Sequence, residues 1–197
     1  MKFVFAVILQ LSCFAAFSQN SGYLQFIKEY QLKYVEEHEV VKGNDKKKIQ
    51  FFAADEKFKV TARAEHIYES PWFKMETSGK EKKVYRVYAI LYFTLNDTVA
   101  KLNVYQSQKL MGIKEYAESL FIPFTDLTSG DESYDNGRYL DLTIHDLESG
   151  SYTIDFNKAY NPYCAYISGI YNCPVPPKEN NLSIAIRAGE RRYAAEH

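Results

Sequence analysis

Phe58-Lys59-Val60-Thr61-Ala62-Arg63-Ala64-Glu65 is the stretch on which the fold turns. Apolar residues at 58, 60, 62 and 64 alternate with charged or hydroxylated ones at 59, 61, 63 and 65. A period of two is the pattern of a strand with one face buried and one wet. Downstream, residues 72–76, 84–93, 99–105, 120–124, 138–144, 152–157 and 182–187 read as further short strands, punctuated by turn residues such as Ser78-Gly79 and Asn96-Asp97. The 84–93 run is apolar or aromatic on both faces, which places it centrally in a sheet. Residues 109–118 are ambiguous between loop and short helix. Upstream, Tyr23, Phe26, Ile27, Tyr30 and Tyr34 recur at spacings of three and four among charged residues, predicting an amphipathic helix over 22–41 that ends at Gly43-Asn44. The expected architecture is mainly β: an antiparallel roll, barrel or sandwich with one N-terminal amphipathic helix. An α+β arrangement is the alternative.

The extreme N-terminus is of another kind. Met1-Lys2 precedes an unbroken apolar run from Phe3 to Leu9, a softer stretch to Phe17, and small residues at Ala16 and Ser18. That is the plan of a secretory signal peptide over 1–18, leaving a single domain over 19–197 in the periplasm or outside the cell. The run falls short of the roughly 20 residues a membrane span needs. Cys13 follows Leu11-Ser12 in lipobox-like fashion, making a lipoprotein the lesser alternative, but Gln10 stands where an aliphatic residue belongs. Across the 197 residues 24 basic and 25 acidic side chains nearly cancel, and Lys46-Lys47-Lys48 reads as a solvated loop, so nothing suggests a nucleic-acid footprint. The 17 Tyr and 13 Phe are the unusual feature, and both types favour strands.

Motifs for nucleotide binding, serine hydrolysis and zinc proteolysis are absent from the sequence: His38-Glu39 is followed by Lys42 where a second His should stand. Cys164 and Cys173 enclose eight residues, and in an exported chain a disulfide is the default, with a reactive Cys164 thiol or metal ligation as alternatives. Asp126, Asp131, Glu132 and Asp135 share a loop with Gly130, the ligand type Ca²⁺ takes. The EF-hand spacing fails there, since Asn136 and Leu142 occupy the positions of the required Gly and closing Glu, and a solvated turn is the plainer reading.

Residues 138–144 and 152–157 suggest a hairpin. Joining the apolar faces sets Leu142 opposite Ile154 and throws Tyr139, Asp141 and Thr143 onto one face with Thr153, Asp155 and Asn157. Arg138 and the Tyr160-Asn161 turn fall at the strand ends. Two carboxylates on neighbouring strands repel unless a cation or a shared proton relieves them. An ordinary wet sheet face is the bland alternative.

The C-terminal third carries an ordered series: Phe124-Thr125-Asp126-Leu127-Thr128-Ser129-Gly130, Gly137-Arg138-Tyr139-Leu140-Asp141, Asp155-Phe156-Asn157-Lys158-Ala159-Tyr160-Asn161-Pro162, Cys164-Ala165-Tyr166, Cys173-Pro174, Pro176-Pro177 and Ala188-Gly189-Glu190. Together these resemble the bacterial domain-of-unknown-function family numbered 1684. The resemblance implies a single domain and points to this region. It carries no assigned activity and no catalytic residue.

The functional expectation is a binding or accessory module for a small polar ligand or glycan, with tyrosine-rich walls and polar groups drawn from Arg138, Tyr139, Asp141, Asp155, Asn157, Tyr160, Asn161 and Tyr166. The alternative is an extracytoplasmic hydrolase using Asp141 and Asp155 as an acid/base or metal-holding pair, or Cys164 as nucleophile. The leader reading is checked by N-terminal sequencing of protein from the native host. The expected first residue is Gln19; an intact Met1, or a lipid on Cys13, would overturn it.

Overall fold

In the computed structural model, which describes residues 22–193, the deciding stretch becomes β1 (Lys59–His66), with Ala62 fully buried and Lys59, Thr61, Arg63 and Glu65 exposed. The leader, Gln19 and Cys13 lie outside the described residues. The remaining strands are β2 (Phe73–Met75), β3 (Lys83–Leu95), β4 (Thr98–Ser107), β5 (Ser119–Phe124), β6 (Arg138–Thr143) and β7 (Ser151–Asp155). They form one seven-stranded antiparallel sheet in the order β6-β5-β4-β3-β1-β7, with β2 on β3. As expected, β3 is central. It is long enough to pair β2 through Tyr85 and β1 through Leu91. Asn96 and Asp97 both adopt positive φ, 49° and 59°, the two-residue turn whose twist suits a hairpin between β3 and β4.

The apolar character of both β3 faces has a specific cause. A register shift between Val87 and Ala89 moves the odd-numbered residues from one face to the other. Before it, Tyr85 and Val87 pack with Met75, Tyr105 and Phe121; after it, Ala89, Leu91, Phe93 and Leu95 enter the main core. That core also takes Leu140 and Leu142 from β6 and Ile154 from β7, the two ends of the strand order, so the sheet is rolled around it. The expected roll is the observed one.

Three expectations are corrected. The hairpin of β6 with β7 does not form: Leu142 lies opposite Leu120 of β5, and Ile154 opposite Val60 of β1. Between the strands, Asp146 Oδ2 accepts from Thr143 N and Oγ1 at 2.7 and 2.8 Å, and Leu147 plunges fully buried into the core. The connection is thereby a structured plug, not a turn. Residues 182–187 are extended but not a strand. Leu182, Ile184 and Ile186 are buried in alternation as a strand's would be, yet the backbone of Ile186 bonds to side chains, Asp126 and Arg138, rather than to a ladder. The N-terminal helix, α1 (22–37), is shorter than expected, because Nδ1 of the buried His38 accepts Val41 N at 3.0 Å and turns the chain. The ambiguous 109–118 segment holds a single turn of helix, α2 (Gln108–Met111), and a 3₁₀ turn at Lys114–Tyr116. Among the described residues no helix is long and apolar enough to cross a membrane.

Arg138 opens β6 with its side chain inside the roll, fully buried. Its guanidinium donates to Asp126 Oδ2 at 2.8 Å, to the carbonyls of Ile186 (2.8 Å) and Glu190 (3.1 Å), and to that of Ala188. The second Asp126 oxygen accepts from Thr128 N, Thr128 Oγ1 and Ile186 N. Removing one partner of such a pair strands the other charge in a low-dielectric interior, at a cost of about 3–5 kcal/mol. Arg138→Met is therefore expected to lower urea-unfolding stability by about that much. A loss below about 0.5 kcal/mol, typical of surface changes, would contradict the role given to the pair.

Candidate functional site

The residues singled out from sequence divide among three places. Alternation along β6 sends Arg138 inward and Tyr139 and Asp141 to the outer face. Arg138 is thus not the counter-charge of Asp141 and Asp155, as the hairpin reading required; it is spent on Asp126. Asp155 is buried at the end of β7, where Oδ1 accepts from Tyr23 OH (2.9 Å) and from Asn157 N (3.1 Å), capping a 3₁₀ turn over Phe156–Lys158. Asn157, also fully buried, bonds Asp55 through both backbone groups. This second group clamps α1 and the 55–58 turn onto the roll.

After the Asp155 cap the chain returns to β6, and Tyr139 and Tyr160 exchange backbone hydrogen bonds at 2.9 and 3.1 Å. That pairing puts the Tyr160 side chain beside β6's outer face, where its OH donates to Asp141 Oδ2 at 2.8 Å. Tyr139 OH donates to the Pro174 carbonyl, and the Tyr139 and Tyr160 rings meet edge to face at 5.9 Å. These three side chains form the floor of a cleft of about 770 Å³. One wall is α1 and the turn after it, with Tyr34, Glu37, His38 and Glu39; the other is the Tyr163–Pro174 loop and Lys83 of β3. A Cys164–Cys173 disulfide closes that loop, and Ser78 ties it to the sheet by donating its backbone N–H to the Cys173 carbonyl at 2.8 Å. The Cys164 thiol of the alternative reading is therefore not free.

Asp141 is exposed along its length, yet its carboxyl sits at the cleft bottom among protein atoms. Restricted solvation pushes its pKa above the usual carboxylate range, opposed by the Tyr160 hydrogen bond. Burial likewise raises the Tyr160 and Tyr139 phenols, so both are donors at neutral pH. Desolvation, then Lys46 and Lys42, holds His38 below its ordinary pKa, and it is neutral at pH 7. A carboxyl with a displaced pKa, one phenol donor and an aromatic surround is the composition of a ligand site.

The third place lies behind the cleft wall. Gly189, at φ 73°, brings the chain so close to the Ala159 and Phe156 carbonyls that a Cβ would stand 2.5 and 2.7 Å from them. It turns Glu190 inward, fully buried. Its carboxylate accepts from Tyr166 OH (2.6 Å), Asn161 N (2.9 Å) and Tyr34 OH (3.3 Å). Asn161 and Tyr166 are therefore supports for Glu190 and not cleft groups. The proposed calcium loop is divided up in a similar way: Asp126 serves Arg138, Glu132 faces Arg187 at 2.8 Å, and Asp135 faces Arg192 at 3.2 Å, while Asp131 donates its N–H to the Thr128 carbonyl. Among the described residues no group of three or more His, Cys, Asp or Glu is placed to hold a metal ion.

A family model described as a protein of unknown function, DUF1684, matches residues 45–191. The chain belongs to this family. The DUF1684 match begins after α1, so it takes in Tyr139, Asp141, Tyr160 and Glu190 but not Tyr34 or His38. The chain is also similar to an uncharacterized protein of Haloarcula marismortui whose structure was solved by solution NMR. The two share 29% identity over 88% of this chain and 96% of that one, with a TM-score of 0.65. Among curated proteins there is no match.

Sequence reasoning missed the helix wall, Lys83, Tyr163 and Glu190 as site-building groups. The tyrosine stripe of α1 was the available signal, because each half-buried phenol needs a partner for its hydroxyl. Glu190 yields a pH prediction. Burial, which outweighs its three donors, pushes its pKa from 4.5 up to about 7. Folded and unfolded states are then both protonated at low pH, where the full stability is present; it is lost as pH rises through about 7. Glu190→Gln should remove this decline, leaving the variant more stable than wild type at pH 8 by on the order of 3 kcal/mol. Urea denaturation of both proteins from pH 5 to 8 checks it, and parallel curves would refute it.

Proposed function

We propose that this DUF1684 protein is an exported module that holds a small polar ligand or glycan unit in the tyrosine-walled cleft above Asp141. The observation that carries this reading is the Asp141–Tyr160 pair, a carboxylate accepting at 2.8 Å from a phenol on the adjoining chain segment, presented to the cleft from a rigid strand. Aromatic side chains supply contact area with little conformational freedom to lose, and a few fixed polar groups set orientation. Export rests on the leader-like N-terminus, with a disulfide in the domain as a feature suited to an oxidising compartment. The hydrolytic reading keeps only Asp141: Asp155 is satisfied by Tyr23 and Asn157 away from this cleft, and Cys164 is bonded to Cys173.

Thermal-shift screening of monosaccharides, polyols and small amines against the purified protein, followed by calorimetry of any hit, tests the cleft. Asp141→Asn and Tyr160→Phe are each expected to weaken a hit tenfold or more. Thr153→Ala, across the roll on β7, should leave it unchanged. A hit insensitive to both cleft substitutions would place binding elsewhere.

A further inference from the structure

The charged groups lining the cleft do not balance. Glu37, Glu39 and Asp141 contribute three carboxylates against one ammonium, Lys83, with His38 neutral, leaving a formal charge of minus two. The whole chain carries only −1, so the cleft concentrates negative charge that the rest of the surface does not share. None of the three carboxylates has its charge met inside the cleft. Asp141 accepts from the neutral Tyr160, Glu39 accepts from the neutral Tyr163 at 3.0 Å, and Glu37 reaches Lys33 only at 3.8 Å along the exposed helix.

Around these carboxylates the cleft is aromatic. Tyr34 stands 6.1 Å from Tyr160, Tyr160 5.9 Å from Tyr139, and Tyr163 5.1 Å from Tyr171, ring centre to ring centre, forming a near-continuous phenol surface along floor and walls. A ring face is electronegative, and rings grouped around carboxylates attract a cation through both the quadrupole and the charge. The molecule already uses this contact elsewhere: Lys59 lies over Tyr23 at 4.8 Å, and Lys158 over Phe26 at 4.9 Å. Of the tyrosines lining the cleft, Tyr30 at its edge has Lys158 at 5.6 Å from its ring centre, while among the described residues no lysine or arginine is so placed over Tyr34, Tyr139, Tyr160, Tyr163 or Tyr171.

We propose that the cleft is built for an organic cation, a primary or quaternary ammonium group on a small polar body, with Asp141 as counter-charge on the floor and the tyrosines as its cage. The proposal rests on the binding reading above and narrows it to a ligand class. Such a cation supplies the positive charge that Asp141 lacks, and its apolar shell is met by rings rather than by water. An amino sugar or a choline-like headgroup has the right chemistry and fits within about 770 Å³. Lys83, half-buried on the rim, then acts as a resident competitor.

The test uses two pairs of probes matched in shape and differing in charge: choline with 3,3-dimethylbutan-1-ol, and glucosamine with N-acetylglucosamine. Each is titrated into the purified protein by NMR, following the tyrosine ring resonances, and by calorimetry. At least one cation is expected to bind tenfold or more tightly than its neutral counterpart. Asp141→Asn should weaken it tenfold or more, while Lys83→Gln should strengthen it severalfold. Neutral probes binding as well as the cations, or Lys83→Gln weakening the cation, would overturn the charge inference while leaving a ligand cleft in place. Silence from the cations alone has the same meaning; silence from all four probes together with the wider screen removes the binding reading as well.

Discussion

The Arg138–Asp126 pair, buried at 0% exposure on both sides, is the constraint from which the rest of the structure is hung. An ion pair in the interior is tolerable only when the remaining donors and acceptors are also met. Here the last extended segment meets them, giving the carbonyls of Ile186, Ala188 and Glu190 to one guanidinium. Fixing that segment seals the roll with Leu182, Ile184 and Ile186 and sets Glu190 at the meeting point of α1 and the disulfide loop. The cleft walls are the outer surfaces of those two pieces. Its position thus follows, through Glu190 and its bonds to Tyr34 and Tyr166, from a charge on the far side of β6.

Asp141 and Asp155 show how one residue type is put to two ends. Asp155 accepts from Tyr23 and from Asn157 and closes a turn, so its charge is used in holding the fold. Asp141 accepts from Tyr160 alone and looks into an open cleft. The single polar face inferred from the sequence does not form, because the strands carrying the two residues are not paired with each other, and only Asp141 faces the cleft.

Much of the fold was legible because it is written in periodicity. The 58–65 alternation, the Asn96-Asp97 turn and the tyrosine stripe of the helix each became the expected element. What failed was pairing. Leu142 and Ile154 share a core as expected, but burial does not say which backbone neighbours a strand takes, and the plug formed by Asp146 and Leu147 removed the turn a hairpin needs. Residues 182–187 misled for the same reason: their period-two burial is real, while their backbone hydrogen bonds are split between the Thr125 and Leu127 backbone and the side chains of Asp126 and Arg138, so no regular ladder forms. At the site, Tyr139, Asp141 and Tyr160 were legible, since alternation along β6 sets two of them on one face. Tyr34 and Glu190 were not, because they meet across 156 residues of sequence.

That same span has a consequence for the order in which the molecule can assemble. The carbonyl acceptors of Arg138 lie 48 to 52 residues further along the chain, and Tyr23 finds Asp155 132 residues away. Contacts so distant must overcome the loss of chain freedom before they return anything, which slows folding. β3 and β4, joined by a two-residue turn, can pair early; the guanidinium cannot be satisfied until the segment from Ile186 onward has docked. Closure of the roll and of the cleft walls therefore depends on the tail of the chain, whereas the β3–β4 hairpin does not.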